Sequence, residues 1–390
     1  MNRNVWLLFL CQALTNAITM GQVAMSALIG LTLAGDKFLA TLPYAIQMAA
    51  TMAASVPAGL VFARLGRKPG FYLGAGLACI GSLTFALGVW HGSFWLYCLG
   101  AVPAGLGFGI GQHYRFAAAE MADPAWRPRA ISLVLAGGVL AALLGPELVK
   151  RSMLLWQPYV FLGTYLCVTL LPVAIAVLLV FVRLAPAPAR VHAPTPLFEI
   201  LRRPSFVTAC VAGLVGYGSM NLLMAGTPLE MKLCGFPDVD AIDIIRLHAL
   251  AMFAPGFVTG RIIQRFGSHR VILAGGVLTL LCVAVALSGE SYGFFATALM
   301  LLGLGWNFMF TGATTLLATA HDALERVRAQ AANDFIVFGT VAVTSFSSGA
   351  LHAASGWTAI NATVVPLVLV ALALVLWHRA HQARRLALAE

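Results

Sequence analysis

One loop motif occurs twice in this chain, each time between long apolar stretches. The first copy reads Gly59-Leu-Val-Phe-Ala63-Arg64-Leu-Gly66-Arg67-Lys68, and the second reads Gly260-Arg261-Ile-Ile-Gln264-Arg265-Phe-Gly267-Ser-His269-Arg270. Gly260 follows Gly59 by 201 positions, about half of the 390 residues. Twelve apolar stretches surround the two copies, at 5–32, 37–63, 70–90, 95–119, 129–149, 156–182, 204–226, 240–264, 270–288, 292–319, 331–353 and 357–378. Each is about as long as the roughly 20 residues a helix needs to cross a bilayer. A chain of this kind is expected to fold as a duplicated six-helix unit in lipid.

Composition narrows the alternatives. Charged residues make up 10 % of the chain and hydrophobic residues 60 %, whereas a soluble domain carries about 25 % charged residues. The apolar runs are continuous, without the short alternating segments of a membrane barrel. The expected fold is therefore an all-α integral membrane protein of 12 transmembrane helices in two pseudo-symmetric six-helix bundles. The first bundle is expected at 1–183 and the second at 204–378, with a cytoplasmic linker at 184–203 and a tail at 379–390. Spaced prolines stiffen the linker, and Leu197–Arg203 suits a short amphipathic turn on the membrane surface. The first apolar run is too long for a cleaved signal. The seven cysteines lie almost all within spans, without ligand spacing, and read as small apolar packing residues.

The net charge of +10 has a topological explanation. With the amino terminus in the cytoplasm, only Lys37, Lys150, Arg151 and Lys232 fall outside, and Arg115 and Arg246 lie within spans. The remaining Lys and Arg gather on the inner side, so both termini are expected in the cytoplasm. Charges scattered over short loops form no continuous face for nucleic acid.

The repeated loop has a physical logic. Gly59 and Gly260 permit close helix packing, Gly66 and Gly267 permit a tight reversal, and Arg64, Arg67, Lys68 and Arg265 anchor the loop and pair with acids or helix ends. Here the chain resembles the major facilitator superfamily, whose loop between helices 2 and 3 is Gly-x-x-x-Asp-Arg-x-Gly-Arg-Arg/Lys. Ala63 replaces the Asp, and Gln264 occupies its place in the second copy. The resemblance implies a secondary transporter working by alternating access, in which the Asp helps to latch the halves. Without it, Asp334 at the start of helix 11 is expected to pair across the halves with Arg64 or Arg67. Two motifs of the family's drug:proton antiporters are incomplete: Pro103 stands where helix 4 would carry Arg, and only Gly145-Pro146 survives of the helix 5 pattern.

Polar residues inside a membrane are costly and face a cavity or a partner. The resemblance implies that helices 1, 4, 7 and 10 line the cavity. Helix 1 carries Gln12, Thr15, Asn16 and Thr19 on one face. Helix 7 carries Tyr217 and Asn221, and helix 10 carries Trp306 and Asn307. Helix 4 holds Gln112, His113, Tyr114 and Arg115, the last also a candidate for pairing with Glu120 or Asp123. In helix 8, Arg246 has Asp243 as a ready local partner, and His248 lies 201 residues after Gln47. The candidate substrate-binding set is Gln12, Asn16, Gln47, Gln112, Tyr114, Arg115, Tyr217, Asn221, Arg246, His248, Trp306 and Asn307. Candidates for moving a proton are His113, His248, Glu147 and Asp334, with Asp36 a further carboxylate; either histidine also reads as a hydrogen-bonding wall residue.

Two guanidinium groups and several aromatic rings suit an organic anion, which Arg binds bidentately, or a flat heteroaromatic solute. The expected function is secondary active transport of such a metabolite across the cytoplasmic (inner) membrane, as proton-coupled uptake. The alternative is a proton-coupled efflux antiporter for drugs or metabolites. A transport-dead sensor on the same fold is a second alternative. No spaced nucleophile and base suggests an enzyme. The expected partners are a small-molecule substrate, protons and the bilayer, with no cofactor, metal or nucleic acid, and the protein is expected to act as a monomer.

Overall fold

The computed structural model describes residues 3–34, 39, 42–184 and 195–387. Asp36, Lys37, Arg190 and the middle of the expected linker lie outside the described residues. Helix is the dominant structure and no strand occurs among the described residues. In lipid the backbone must satisfy its own hydrogen bonds, and long apolar runs do so as helices.

The order is α1 (Arg3–Ala34), α2 (Leu42–Leu65), α3 (Arg67–Trp90), α4 (Phe94–Gly111), α5 (Tyr114–Met121), α6 (Arg127–Ala136), α7 (Gly138–Ser152), α8 (Leu162–Phe181), α9 (Leu197–Arg202), α10 (Pro204–Leu233), α11 (Asp238–Phe253), α12 (Gly256–Phe266), α13 (Ser268–Ala286), α14 (Tyr292–Thr319) and α15 (Ala323–Ala387). Among the described residues eight segments are long and apolar enough to cross a bilayer, or nine with the bent pair Leu42–Ser55 and Pro57–Leu65. The expected twelve is not reached on this count. One reason is visible in the eighth expected span, which breaks at Ala254–Pro255 into α11 and α12, because Pro255 cannot continue the hydrogen-bond ladder. The last two expected spans run together as the single element α15, with a kink at Gly356, whose φ is 75°.

The chain forms two compact units, the first of residues 1–124 and 133–192, the second of 125–132 and 193–390. The short segment 125–132 thus groups with the second unit, although it precedes the expected boundary. Its backbone explains this. Gly260 brings α12 so close that an added Cβ would lie 2.5 Å from the Arg129 Cα. Gly260 N–H donates to Ser132 Oγ at 3.0 Å, and Gln264 Nε2 donates to the Ala125 carbonyl.

Small residues set the packing inside each unit, as is common where lipid removes the hydrophobic drive between helices. In the first unit, Gly74, Gly81 and Gly88 of α3 face Ile110, Ala104 and Tyr97 along α4. In the second, Gly275 of α13 faces the Gly305 carbonyl of α14, and Gly312 faces Ile272.

The start of the second unit is tied down by charge. Arg203, between α9 and α10, donates to both Glu325 carboxylate oxygens at 2.5 and 2.9 Å, and Arg328 donates to the Thr195 carbonyl at 2.9 Å. The hydrogen bonds from Arg203 hold the Glu325 carboxyl below its usual range. A carboxylate depressed in the folded state stabilises it above the unfolded value of about 4.3 and loses that contribution as pH falls through the folded value. Thermal unfolding should therefore show a decline of melting temperature on the acid side of about pH 4.3 that Glu325→Gln flattens. An unaltered slope in the variant would refute this role.

Candidate functional site

The two copies of the repeated loop adopt the same backbone. Gly66 has φ 88° and ψ 167°, and Gly267 has φ 83° and ψ 154°. Each immediately precedes the next helix, in a region that side chains disfavour. Their charges find different partners. Arg67, 7 % exposed, makes a fork to Glu120 of its own unit, with Nε at 2.6 Å and Nη2 at 2.5 Å. Lys68 donates to the carbonyls of Val180 and Val182 at 3.1 and 3.0 Å, a cation at the C-terminus of α8, where the helix dipole favours it. Arg64 is exposed, as is Arg265, whose guanidinium lies 5.3 Å from the Phe266 ring centroid. Gly59 is buried in α2.

Glu120 is therefore taken by Arg67 and is not the partner that the sequence offered Arg115. Arg115 is fully buried, donates to Gln112 Oε1 at 3.3 Å and lies over the Phe116 ring at 4.6 Å. These residues flank the break at Gln112–His113 between α4 and α5. His113 packs between Phe62 and Phe116, with centroids at 5.0 and 5.7 Å. Tyr114 stacks obliquely on Phe71 at 4.4 Å and, with Thr15 and Thr19, borders a small void in the first unit. On α1, Gln12 Nε2 donates to Asn16 Oδ1 at 2.9 Å, one polar face as the spacing requires.

Gln47 and His248 occupy matching places. An added Cβ on Gly105 of α4 would meet the Gln47 carbonyl, and one on Gly303 of α14 would meet the His248 carbonyl at 2.7 Å. Both side chains are 1 % exposed. His248 Nδ1 bonds the Leu299 carbonyl at 2.8 Å, as a wall residue would. Arg246 and Asp243 are both exposed and do not form the local ion pair the spacing allowed.

Several second-unit candidates are held by packing bonds. Asn307 Oδ1 accepts from Thr259 at 2.6 Å and its Nδ2 donates to the Met252 carbonyl at 2.8 Å, bracing α14 against both pieces of the broken span. Asn221 donates to Thr344 and Ser345 of α15 at 3.1 and 2.9 Å. The aromatic residues do converge. Tyr217 meets Trp306, Phe310 and Phe338 edge-on at 5.4, 5.2 and 5.8 Å. Trp306 stacks on Phe310 at 5.1 Å and 17°, with Phe253 at its edge. Trp306 is 2 % exposed, whereas Tyr217 is only partly buried.

Of the carboxylates, Glu147 is exposed and pairs with Arg151 at 2.6 Å, one turn away. Asp334 is 1 % exposed and accepts from Asn333 at 3.0 Å. The sequence reading missed one polar node. Tyr97 and Tyr165 hydroxyls lie 2.5 Å apart, and Tyr165 donates to Gln22 Oε1 at 2.7 Å. Gln22 follows Gln12, Asn16 and Thr19 along α1, so its place on a polar helix was readable. Its tyrosine partners, from α4 and α8, were not.

Comparisons with known proteins agree with this architecture. Residues 243–390 match the model of the Major Facilitator Superfamily. The chain is 38 % identical over 375 residues to the riboflavin transporter RfnT of Brucella anthropi, covering 95 % of this chain and 94 % of that one. It is 25 % identical to the MFS-type transporter YdeG of Bacillus subtilis, across 97 % of this chain and 92 % of that one. Among solved structures, the E. coli fucose:proton symporter FucP superposes with a TM-score of 0.77 at 15 % identity, covering 96 % and 97 % of the two chains. The human organic anion transporter MFSD10 gives 0.78 at 14 % identity over 96 % and 100 %. The chain belongs to the major facilitator superfamily: it is a multi-pass membrane transporter and not an enzyme.

Proposed function

We propose that this protein carries riboflavin, or a similarly flat heteroaromatic metabolite, across the cytoplasmic membrane by alternating access, as proton-coupled uptake. The 38 % identity to a riboflavin transporter, sustained over 95 % of the chain, carries the reading. Of the two substrate classes that the guanidinium groups and aromatic rings suggested, it favours the heteroaromatic one over the simple anion. The rings around Tyr217 and Trp306 add chemical support, because aromatic pairs contribute about 0.5–1.5 kcal/mol beyond burial. A tricyclic ring that stacks on Tyr217 would meet a surface already fixed by three neighbouring rings. Asp334 is the preferred proton carrier, being a buried carboxylate, whereas Glu147 already holds an exposed ion pair.

Purified protein in liposomes tests this through riboflavin fluorescence. Saturable entry is expected, driven by an inwardly directed proton gradient. Tyr217→Ala should lower kcat/KM by roughly tenfold, the upper end of what one ring pair contributes, and Asp334→Asn should remove the response to the gradient. Flux equal to that of protein-free liposomes would refute the substrate. Export of preloaded riboflavin against inward proton movement would favour the antiporter instead.

A further inference from the structure

At the end of the second unit opposite the Gly267 loop, three segments bring unlike donor groups together. Glu230 and Cys234 lie one turn apart at the end of α10, and Glu290 lies between α13 and α14. One carboxylate oxygen from each acid and the Cys234 Sγ all lie within 4.8 Å of one another. His352, on the first arm of α15 and 5 % exposed, places Nε2 2.8 Å from Glu230 Oε2. None of these residues was singled out by spacing along the chain, and none takes part in the site described above.

We propose that Glu230, Cys234 and Glu290 bind a divalent cation of the zinc class, with His352 as the positioning residue for Glu230. Donor atoms of one tetrahedral ion at about 2.0–2.3 Å from the metal stand roughly 3.5 Å apart, so the observed cluster needs only side-chain adjustments of about an ångström. Thiolate with carboxylates is a donor set that borderline cations such as zinc accept. Ligating carboxylates are themselves held by outer hydrogen bonds, and the buried His352 supplies one to Glu230. The backbone holds Cys234 in place. Gly235, at φ 84°, ends α10, and the Phe236 N–H turns back to the Met231 carbonyl at 3.0 Å, closing the helix as a Schellman turn does. Rings of Phe236, Phe295 and Trp357 pack beside this end at 6.0 and 6.1 Å, lowering the local dielectric in which the cation would sit.

The internal repeat gives an independent argument. The shift of 201 residues that pairs Gln47 with His248 also pairs Glu230, Cys234 and Glu290 with Ile29, Leu33 and Val89. In the first unit those three residues belong to or pack on one apolar cluster with Phe85 and Tyr97. At these three positions the second unit carries two acids and a thiol. Without a cation the carboxylates of half-buried Glu230 and exposed Glu290 would crowd the thiol, with the His352 imidazole as the counter-group among the described residues.

Chelator-stripped protein titrated with Cd²⁺, a spectroscopic stand-in for Zn²⁺, tests the proposal through the ultraviolet charge-transfer band of a cadmium–thiolate bond. One equivalent should develop the band, and Zn²⁺ should displace it. Cys234→Ser should abolish the band, Glu290→Gln, on an exposed connection, should weaken binding at least tenfold, and His352→Gln should weaken it about 10–100-fold. Absence of the band in the parent protein would overturn the site, as would its survival in Cys234→Ser or an unchanged affinity in Glu290→Gln. Monodisperse elution of Glu290→Gln shows that a loss there is not a loss of fold. Riboflavin flux is not read, so failure of this site leaves the transport reading standing, and the reverse also holds.

Discussion

Gly105→Leu is expected to prevent recovery of folded protein, and Gly303→Leu should do nearly the same in the other unit. A Cβ at Gly105 would overlap the Gln47 carbonyl oxygen and lie 2.7 Å from Ala50 Cβ, and one at Gly303 would lie 2.7 Å from the His248 carbonyl and 2.9 Å from the Met252 nitrogen. The opposing atoms are mostly backbone, so no rotamer change relieves the clash and whole helices must separate. Overpacking a core costs about 1–3 kcal/mol when side chains can shift, and here the loss should exceed that range. Gly76→Leu is the control, because nothing lies within 4 Å of its added Cβ. Monodisperse yield and melting temperature in detergent decide the matter: normal values for Gly105→Leu would show that α2 and α4 do not cross as closely as described.

Arg67→Met should destabilise the first unit by about 2–3 kcal/mol and slow transport. Removing one partner of a fully buried ion pair costs roughly 3–5 kcal/mol, because the other charge is left desolvated. Glu120 keeps 28 % exposure against 8 % for Arg67, so solvent reduces the figure. Arg67→Lys should recover only part of the stability, since an ammonium cannot form the planar fork. Arg67→Met combined with Glu120→Gln should recover more than half, because neither charge then remains. Thermal unfolding of the four proteins measures this. If the double variant were as unstable as Arg67→Met, the loss would come from packing and not from the stranded carboxylate.

These two sites show where sequence reading succeeded and where it stopped. The shift of 201 residues placed Gln47 and His248 in equivalent positions, and the structure sets both against a small residue of the following helix pair. It also gave Gly66 and Gly267 the same left-handed backbone. Lys68 at a helix end was readable in kind, since a cation near a loop seeks carbonyls or acids. Its particular carbonyls, on Val180 and Val182, lie more than a hundred residues away and leave no local trace. The local pair of Asp243 with Arg246, which the sequence offered only as the alternative to a role for Arg246 at the substrate, does not form, for the converse reason. Helical spacing makes such a pair possible, but two exposed side chains gain little from forming it.

By itself, the sequence determined that this chain is a duplicated helical membrane protein and a transporter. Hydropathy, helix length and a repeated loop are local properties, and lipid enforces them one segment at a time. Only the tertiary structure decided which polar groups meet: Arg67 with Glu120, Asn307 with Thr259, Gln22 with Tyr165, and the acids of α10 and the α13–α14 connection with a cysteine. A polar residue in a membrane must find a partner, but the pattern along one helix fixes only the direction in which it looks. Which residue waits there depends on how the helices cross, and that is settled by the small residues that let their backbones touch.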